Sequence, residues 1–257
     1  MGFPAVRATR ELVRLRKAEE ATALSEVSLR DLPPSRRDFR YVVMTRRSHL
    51  VLVAGVVRCD PSAAWGRRDL DLVALAVRAQ ESGAAAVAIG TDAALFGGDL
   101  GALYAATRVL RVPVLRLDYV LDLAQIQASR LAGADAVLVS AGMLAPGDLK
   151  RLAESAQALE MHVVLEARDE ADLERAATVP GAILGLGDLT GETGIWSGER
   201  VLALAERAPE RALLLALSGV RGLADLELLR GRLDAALVTA AWLGGDPWAA
   251  AASLFGA

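Results

Sequence analysis

Hydrophobic and polar positions follow two alternating patterns along most of the chain. Short apolar runs rich in Val, Leu and Ala recur roughly every 25 residues, and each is followed by a stretch with helical spacing of apolar positions. Runs that are apolar on both faces are typical of a parallel sheet covered by helices. The predicted strands are Leu50–Val57, Ala84–Gly90, Val112–Leu117, Asp135–Ser140, His162–Ala167, Ala182–Leu186, Ala212–Ser218 and Leu233–Thr239. The predicted helices are Asp69–Ser82, Asp99–Leu110, Asp122–Ala132, Gly147–Leu159, Asp169–Thr178, Gly198–Ala208, Gly222–Gly231 and Asp246–Phe255.

Eight strand–helix units in one chain favour a closed (β/α)₈ TIM barrel, an α/β fold, over a doubly wound open sheet. The doubly wound alternative is weaker because no Gly-x-Gly-x-x-Gly sequence follows the first strand. Residues 1–48 precede this repeat and predict an N-terminal helical extension, with helical spacing over Thr9–Ser25 and a break at Pro33-Pro34. The sequence therefore predicts one barrel domain, 49–257, behind that extension.

Composition narrows the class of protein. The 257 residues are 53% hydrophobic with a formal net charge of −3, which excludes a disordered chain and argues against nucleic-acid binding. No uncharged apolar stretch is long enough for a membrane span, and the first residues lack the apolar core of a secretory signal. With one cysteine and two histidines, we expect neither a disulfide framework nor a metal centre. These features predict a cytoplasmic protein.

Lysine is scarce, which limits the chemistry available to the chain. Only Lys17 and Lys150 are lysines among the 29 Lys and Arg residues. Lys17 falls in the N-terminal extension, and Lys150 falls on the fourth predicted helix with its side chain expected to point away from the barrel. We therefore expect that no lysine reaches an active site at the C-terminal ends of the strands, where barrel enzymes carry their chemistry.

Several segments at the predicted strand ends carry motifs in a recognisable order. They are Leu52-Val53-Ala54 with Pro61-Ser62, Thr91-Asp92 with Phe96-Gly97-Gly98-Asp99-Leu100, Pro113-Val114-Leu115-Arg116-Leu117-Asp118-Tyr119, Ala132-Gly133-Ala134-Asp135-Ala136-Val137-Leu138 and Val164-Leu165-Glu166. Together they make the chain similar to the indole-3-glycerol phosphate synthase family of tryptophan biosynthesis. The resemblance runs nearly from end to end, including the helical extension. It implies a lyase that converts carboxyphenylamino-deoxyribulose phosphate to indole-3-glycerol phosphate, CO₂ and water without a cofactor.

At the family's catalytic positions, however, this chain has other residues. The general-acid lysine of the third strand is replaced by Leu117, and the substrate-anchoring lysine of the first strand by Val57. The two family glutamates of strands one and seven are replaced by Gly55 and Leu217. A leucine or valine cannot donate a proton, and general acid–base catalysis is typically worth ~10²–10⁴ in rate. The resemblance therefore implies a divergent member with lost or very weak synthase activity.

The phosphate-binding motifs are altered as well. The sixth-strand Asn-Asn-Arg segment is shortened, with Gly187 at its start, and the eighth-strand Gly-x-Ser-Leu motif reads Thr239-Ala240-Ala241-Trp242. Ser218 and Gly219 of the seventh strand are retained and could offer backbone N–H groups to a phosphate ahead of a helix. The alternative reading of Ser218 and Gly219 is a simple loop before that helix.

The candidate site follows from these positions. Glu166 is the candidate catalytic acid or base, with a structural carboxylate paired with Arg168 or Arg116 as the alternative. Ser218 and Gly219 are the candidate phosphate-binding residues for a phosphorylated small molecule. The remaining candidates line the substrate pocket: Phe96, Asp60, Arg116 and Tyr119.

The cysteine, histidine and tryptophan residues give weaker indications of function. Cys59 could form a reactive thiolate beside Arg58, although a packed, inert cysteine is the simpler interpretation. His49 and His162 fall at strand starts, where barrels carry stability rather than chemistry. Trp196 and Trp242 are hypothesised to fill the volume left by missing substrate-binding side chains.

Three functions stay open at this point. The first is a family barrel that has lost the synthase reaction and serves as a binding protein for an unidentified partner. The second is an enzyme with altered chemistry that uses Glu166, Asp60, Asp118 or Cys59 on a related substrate. The third is a true synthase with a displaced lysine or arginine, although arginine is a poor general acid because it stays protonated.

Overall fold

The predicted barrel is present in the structure, a computed structural model that describes residues 13–14, 16–17, 35, 37–45, 50–63, 65–194 and 196–239. Eight parallel strands close on themselves in the order β1-β8-β7-β6-β5-β4-β3-β2. The strands are β1 (Val51–Val56), β2 (Ala86–Gly90), β3 (Val114–Leu117), β4 (Ala136–Ser140), β5 (His162–Ala167), β6 (Ile183–Leu186), β7 (Leu213–Ala216) and β8 (Ala235–Thr239). The fold class is therefore a (β/α)₈ TIM barrel.

A helix follows each of the first seven strands. The helices are α1 (Leu72–Glu81), α2 (Leu100–Val109), α3 (Leu123–Leu131), α4 (Pro146–Ala158), α5 (Glu170–Ala177), α6 (Gly198–Ala205) and α7 (Leu223–Leu229). Aspartate caps several of them: the side chain of Asp99, for example, accepts a hydrogen bond from the backbone N–H of Ala102. The eighth predicted helix, Asp246–Phe255, lies outside the described residues.

The side chains of the strands alternate between two apolar layers. Val53, Leu115 and Val164 belong to a cluster inside the barrel, whereas their strand neighbours Ala54, Val114 and Val163 pack in the layer shared with the helices. Because successive side chains on a strand point to opposite faces, this alternation decides which residues can reach the barrel interior. It also explains why the sequence shows apolar residues on both faces of each strand.

The described part of the N-terminal extension contacts both ends of the barrel. In the helix Phe39–Thr45, Phe39 and Val43 are fully buried in the interior cluster, together with strand-starting residues such as Val51. Arg40 Nη1 donates to the carbonyl oxygen of Gly181, just before β6. This helix therefore closes the end where the strands begin, whereas Arg14, Arg16 and Lys17 contact residues at the opposite end.

The loop after β1 contains a small element that the sequence pattern does not predict. Residues Cys59–Asp60 pair in antiparallel fashion with Trp65–Gly66, and a 3₁₀ turn, Pro61–Ala63, connects them. This hairpin lies beside the C-terminal end of the barrel and brings Asp60 to the end of β8, where the side chain of Thr239 contacts it.

Candidate functional site at the barrel mouth

A narrow cavity opens at the mouth of the barrel, the end at which the strands finish. The centre of a water-sized sphere can move through about 10 Å³ of this cavity, so the cavity holds about one water molecule. Most of its wall is apolar, and the polar part comes from an aspartate and three hydroxyl groups. The lining residues are Val57, Asp60, Ser62, Phe96, Leu117, Leu189, Leu217, Ser218, Val220, Leu237 and Thr239.

Large side chains fill the mouth because they pack over glycines of the strands. A Cβ atom built on Gly185 would lie 2.5 Å from Cδ1 of Leu217, so Leu217 occupies the space that a side chain on β6 would need. A Cβ atom on Gly90 would meet the side chain of Phe96 at the same distance. Leu217 and Phe96 are each only 2% exposed. The mouth is thus closely packed rather than an open pocket.

Leu117 lines this cavity, whereas Arg116 does not. The Arg116 side chain points away from the interior and donates to Oγ1 of Thr91 at 2.9 Å and to Oγ of Ser129 on α3 at 3.0 Å. Its Nη2 also lies 2.6 Å from Oδ2 of Asp118. The expectation that Arg116 lines the substrate pocket is therefore wrong, because strand alternation places Leu117 inward and Arg116 outward.

Glu166 and Tyr119 form a hydrogen-bonded pair inside the barrel. Oη of Tyr119 donates to Oε1 of Glu166 at 3.0 Å, and both residues have no exposed surface. The backbone N–H of Leu189 also donates to Oε1, while Oε2 has no hydrogen-bond partner among the described residues. Burial, and then the charge of Asp188, raise the pKa of Glu166 to about 7. Burial and the neighbouring Glu166 raise the pKa of Tyr119 well above its usual value.

The loop after β6 wraps around Asp188, a residue absent from the predicted site. Oδ1 of Asp188 accepts hydrogen bonds from the N–H and Oγ1 of Thr190, and Oδ2 accepts them from the N–H and Oγ1 of Thr193. Burial opposes ionisation of Asp188, but these hydrogen bonds outweigh it and lower its pKa. Arg168 pairs with Glu192 at 2.8 Å, and its Nη1 lies 3.7 Å from Asp188. Arg168 forms no comparable ion pair with Glu166. The alternative interpretation, in which Glu166 is a structural carboxylate paired with Arg168, is therefore not realised.

Asp60 and Ser218 line the cavity, whereas Gly219 is not part of its lining. Oγ of Ser218 accepts a hydrogen bond from the backbone N–H of Asp188 at 3.0 Å. Gly219 has φ +90°, and a Cβ atom there would lie 2.9 Å from the carbonyl oxygen of Ser197. Because α7 begins only at Leu223, residues 218 and 219 are separated from its first turn.

Lys17 reaches the mouth end of the barrel, closer to the site than its place in the extension suggests. Its Nζ lies 2.7 Å from Oδ1 of Asp118 and 3.2 Å from Oδ2 of Asp92, directly after β3 and β2. Burial opposes ionisation of Asp118, but the charges of Arg116 and Lys17 outweigh it and hold the pKa of Asp118 at about 2. Lys17 does not line the cavity. Lys150 is on the surface, as expected, with a side chain that is 70% exposed.

The remaining candidates lie away from the cavity. Trp196 is buried in the helix-facing layer, where its Nε1 donates to Oγ1 of Thr193, so the hypothesis that it fills the mouth is wrong. Trp242 and His49 lie outside the described residues. Arg58 donates to the carbonyl oxygens of Leu70 and Gly97, and Cys59 is partly exposed in the hairpin. His162 pairs with Asp38 at 2.9 Å at the opposite end.

The described residues hold neither a metal-binding cluster nor a membrane span. No group of three or more His, Cys, Asp or Glu side chains in the described part of the chain could hold a metal ion. Within the same residues, no helix combines the length and the apolar character needed to cross a membrane.

The closed parallel barrel with a cavity at its strand ends defines the chain as a (β/α)₈ barrel protein with a candidate site at the usual place. Among solved structures it is similar to the N-acetylmannosamine-6-phosphate 2-epimerase from Clostridium perfringens, with a TM-score of 0.60. The two are 12% identical over 82% of this chain and 94% of that chain, a likeness of fold alone.

The family is defined by the sequence comparisons. The profile of indole-3-glycerol phosphate synthase matches residues 6–252. The chain is 33% identical to the indole-3-glycerol phosphate synthase of Koribacter versatilis, covering 86% of this chain and 85% of the relative. It is 32% identical to that of Polaromonas naphthalenivorans, covering 93% and 95%. The chain therefore belongs to the indole-3-glycerol phosphate synthase family.

Proposed function

We propose that this chain is a family barrel that has lost, or nearly lost, the ring-closing synthase reaction. The observation that carries the proposal is Leu117, which lines the mouth where the family resemblance implies the general-acid lysine. Ring closure with loss of water needs a proton delivered to a departing hydroxyl, and Leu117 has none to give. Removal of one member of a catalytic unit is enough to make such a reaction slow.

The displaced lysine does not supply the missing acid in this arrangement. Lys17 Nζ is held between the carboxylates of Asp118 and Asp92, and its side chain is only 3% exposed. Both carboxylates lie within ion-pair distance of this ammonium, so it is directed at them and not into the cavity. Since Lys17 also lies outside the cavity lining, it stabilises the N-terminal segment instead of facing a substrate.

The packing of the mouth supports the same proposal. A sugar phosphate joined to a carboxyphenyl ring needs a pocket of several hundred Å³, within the 300–1,000 Å³ typical of ligand sites. The cavity between Leu117, Leu217 and Phe96 has room for about one water molecule. Substrate entry would require these side chains to leave their packed positions over Gly90 and Gly185.

A second candidate function rests on Glu166. Its pKa of about 7 is suited to proton transfer near neutral pH, and its Oε2 atom is buried with no hydrogen-bond partner in the described part of the chain. An enzyme with altered chemistry could use this carboxyl on a related phosphorylated substrate. The packed cavity makes this the weaker candidate, because no described opening leads a substrate to Glu166.

The deciding experiment is a fluorescence assay for indole-3-glycerol phosphate with carboxyphenylamino-deoxyribulose phosphate at high enzyme concentration. The protein is made in a host strain without its own synthase, so that contaminating activity cannot contribute. We expect no turnover in the usual enzymatic range of about 1–10³ s⁻¹ and no protection against heating by the substrate. Turnover in that range would overturn the proposal.

Two variants separate the two candidates in the same assay. Glu166→Gln removes the proton-transferring carboxyl, and Glu154→Gln on the surface of α4 is the control for the same substitution elsewhere. If slow product formation is seen, we expect it to be equal in the wild type and in both variants. Loss of that activity only in Glu166→Gln would show that the Glu166 carboxyl still transfers a proton, which the second candidate requires.

A further inference from the structure

Four described residues of the N-terminal extension lie across the mouth of the barrel, and we call them the strap: Val13, Arg14, Arg16 and Lys17. Nε of Arg14 donates to the carbonyl oxygen of Met143 at 2.9 Å. Nη1 of Arg16 lies 2.9 Å from Oδ1 of Asp92, and Nζ of Lys17 contacts both Asp92 and Asp118. These partners belong to the loops after β4, β2 and β3, so the strap joins three neighbouring strand ends.

The strap also contributes an apolar side chain to the mouth. Val13 has no exposed surface and belongs to the interior cluster that includes Phe96, Leu117 and Met143. Phe96 and Leu117 line the narrow cavity as well. Burial of Val13 in this cluster is favourable because it removes apolar surface from water. The strap therefore covers the mouth with an apolar contact as well as with charges.

The strap is connected to Glu166 through two successive residues of the loop after β3. Oδ1 of Asp118 lies 2.7 Å from Nζ of Lys17 and also accepts a hydrogen bond from the backbone N–H of Tyr119. The hydroxyl of Tyr119 donates to Glu166, and neither of these two side chains is exposed. The carboxylate that holds Lys17 thus also positions the residue that covers Glu166.

At the opposite end of the barrel the extension is fixed in place. The guanidinium of Arg37 binds the carboxylate of Asp135 and donates to three backbone carbonyl oxygens, and Phe39 and Val43 are fully buried. The strap is joined to the barrel through its side chains, and within the described residues no backbone–backbone hydrogen bond connects it to a strand or loop. The extension therefore has one fixed end and one end that can be released.

The loops under the strap keep part of their own bonding when the strap leaves. Oδ2 of Asp118 is bound by Arg116 and by Oγ1 of Thr91. Oδ1 of Asp92 accepts hydrogen bonds from two backbone N–H groups of its own loop. Water entering an open mouth can hydrate the carboxylate oxygens that Lys17 releases, so they do not stay buried without partners.

We propose that the strap is an autoinhibitory element, which covers the mouth in the structure described and leaves it as a unit to expose the Tyr119–Glu166 pair and the apolar side chains around it. Local opening of a segment held by a small buried area requires less free energy than global unfolding. The proposal concerns access to the mouth and not the reaction. It therefore goes beyond the proposed function and does not depend on it.

Hydrogen–deuterium exchange of the full chain, followed by mass spectrometry, tests the strap. Lys17→Met removes its buried charge, and Lys150→Met is the matched control because Lys150 is exposed on α4. Exchange in the loops after β2 and β3 is measured relative to exchange in β6 and β7 of the same protein. We expect this relative rate to rise at least tenfold in Lys17→Met and to stay at the wild-type value in Lys150→Met.

A second variant keeps the test decisive if Lys17→Met does not fold. Val13→Ala reduces the apolar contact and leaves the charges of the strap in place, and Val109→Ala is its control because Val109 is 52% exposed on α2. We expect Val13→Ala to accelerate exchange in the same two loops, by a smaller factor than Lys17→Met.

Three results would each overturn the inference. The first is faster exchange by the same factor in all parts of the barrel, which would show global destabilisation without local opening. The second is an unchanged relative rate in both strap variants, and the third is an equal rise in the control variants. All of these measurements are made without substrate, so failure of this proposal and failure of the proposed function are distinguishable.

Discussion

Nζ of Lys17 lies 2.7 Å from Oδ1 of Asp118, and this contact joins the N-terminal extension to the mouth end of β3. Oδ2 of Asp118 is bound on its other side by Arg116 and by Oγ1 of Thr91. Lys17 and Asp118 have side chains that are 3% and 0% exposed. The extension is thus held to the barrel by a buried ionic cluster rather than by surface charges.

Replacement of Lys17 by methionine should destabilise the protein by about 3 kcal/mol, because removing one partner of a buried ion pair leaves the other charge uncompensated. Lys150→Met is the matched control, since Lys150 is exposed and its pair with Glu154 at 3.7 Å should contribute only ~0.3–0.5 kcal/mol. The measurement is the free energy of unfolding from urea denaturation of both variants. Equal effects of the two substitutions would show that Lys17 is not buried among these carboxylates.

The raised pKa of Glu166 makes stability depend on pH near neutrality. In the unfolded chain Glu166 titrates near 4.5, whereas in the folded protein its pKa is about 7. Between these values the folded state binds more protons, so stability present at low pH is lost as pH rises towards 7. From pH 5 to pH 8 the wild type should lose about 2–3 kcal/mol more free energy of unfolding than Glu166→Gln. An identical pH dependence of the two proteins would contradict the raised pKa.

Tyr119→Phe tests the hydrogen bond that holds Glu166. The Tyr119 hydroxyl stabilises the ionised carboxylate by donating to it, so its removal should move the pKa of Glu166 further above about 7. The titration of the Glu166 side chain by carbon NMR measures this change. Tyr104→Phe is the control, because the exposed Tyr104 hydroxyl contacts Arg108 on the outside of α2. A pKa that falls, or moves equally in both variants, would exclude this role of Tyr119.

The fold was predictable because periodicity is a local property of the chain. The first predicted strand, Leu50–Val57, exceeds the observed β1 by one residue at each end, and the third, Val112–Leu117, begins two residues early. The outward position of Arg116 could also have been predicted, because Leu115 and Leu117 flank it on the same strand. The prediction that Arg116 lines the pocket was wrong because it used motif positions alone and ignored this alternation.

The contacts of Lys17 and Asp188 could not be predicted from the sequence in the same way. Lys17 is 101 positions before Asp118, and no spacing rule predicts which carboxylate a residue of an extension will meet. Asp188 follows Gly187 in the shortened sixth-strand segment, and its role depends on how the next residues fold back to donate hydrogen bonds. Phe96 and Asp60 both line the cavity, Phe96 from the loop after β2 and Asp60 from the loop after β1, and barrels carry their sites in such loops.

Asp188→Asn should lower the pKa of Glu166, the opposite of the change expected for Tyr119→Phe. The charge of Asp188 is the second cause of the raised pKa after burial, so a neutral side chain removes a repulsion from the ionised carboxylate. Glu192→Gln is the control, because the carboxylate that it removes pairs with Arg168 and does not act directly on Glu166. The measurement is again the carbon NMR titration of Glu166, with urea denaturation to confirm folding. If Asp188→Asn leaves this pKa near 7 or raises it, burial alone accounts for the shift and the loop after β6 does not tune Glu166.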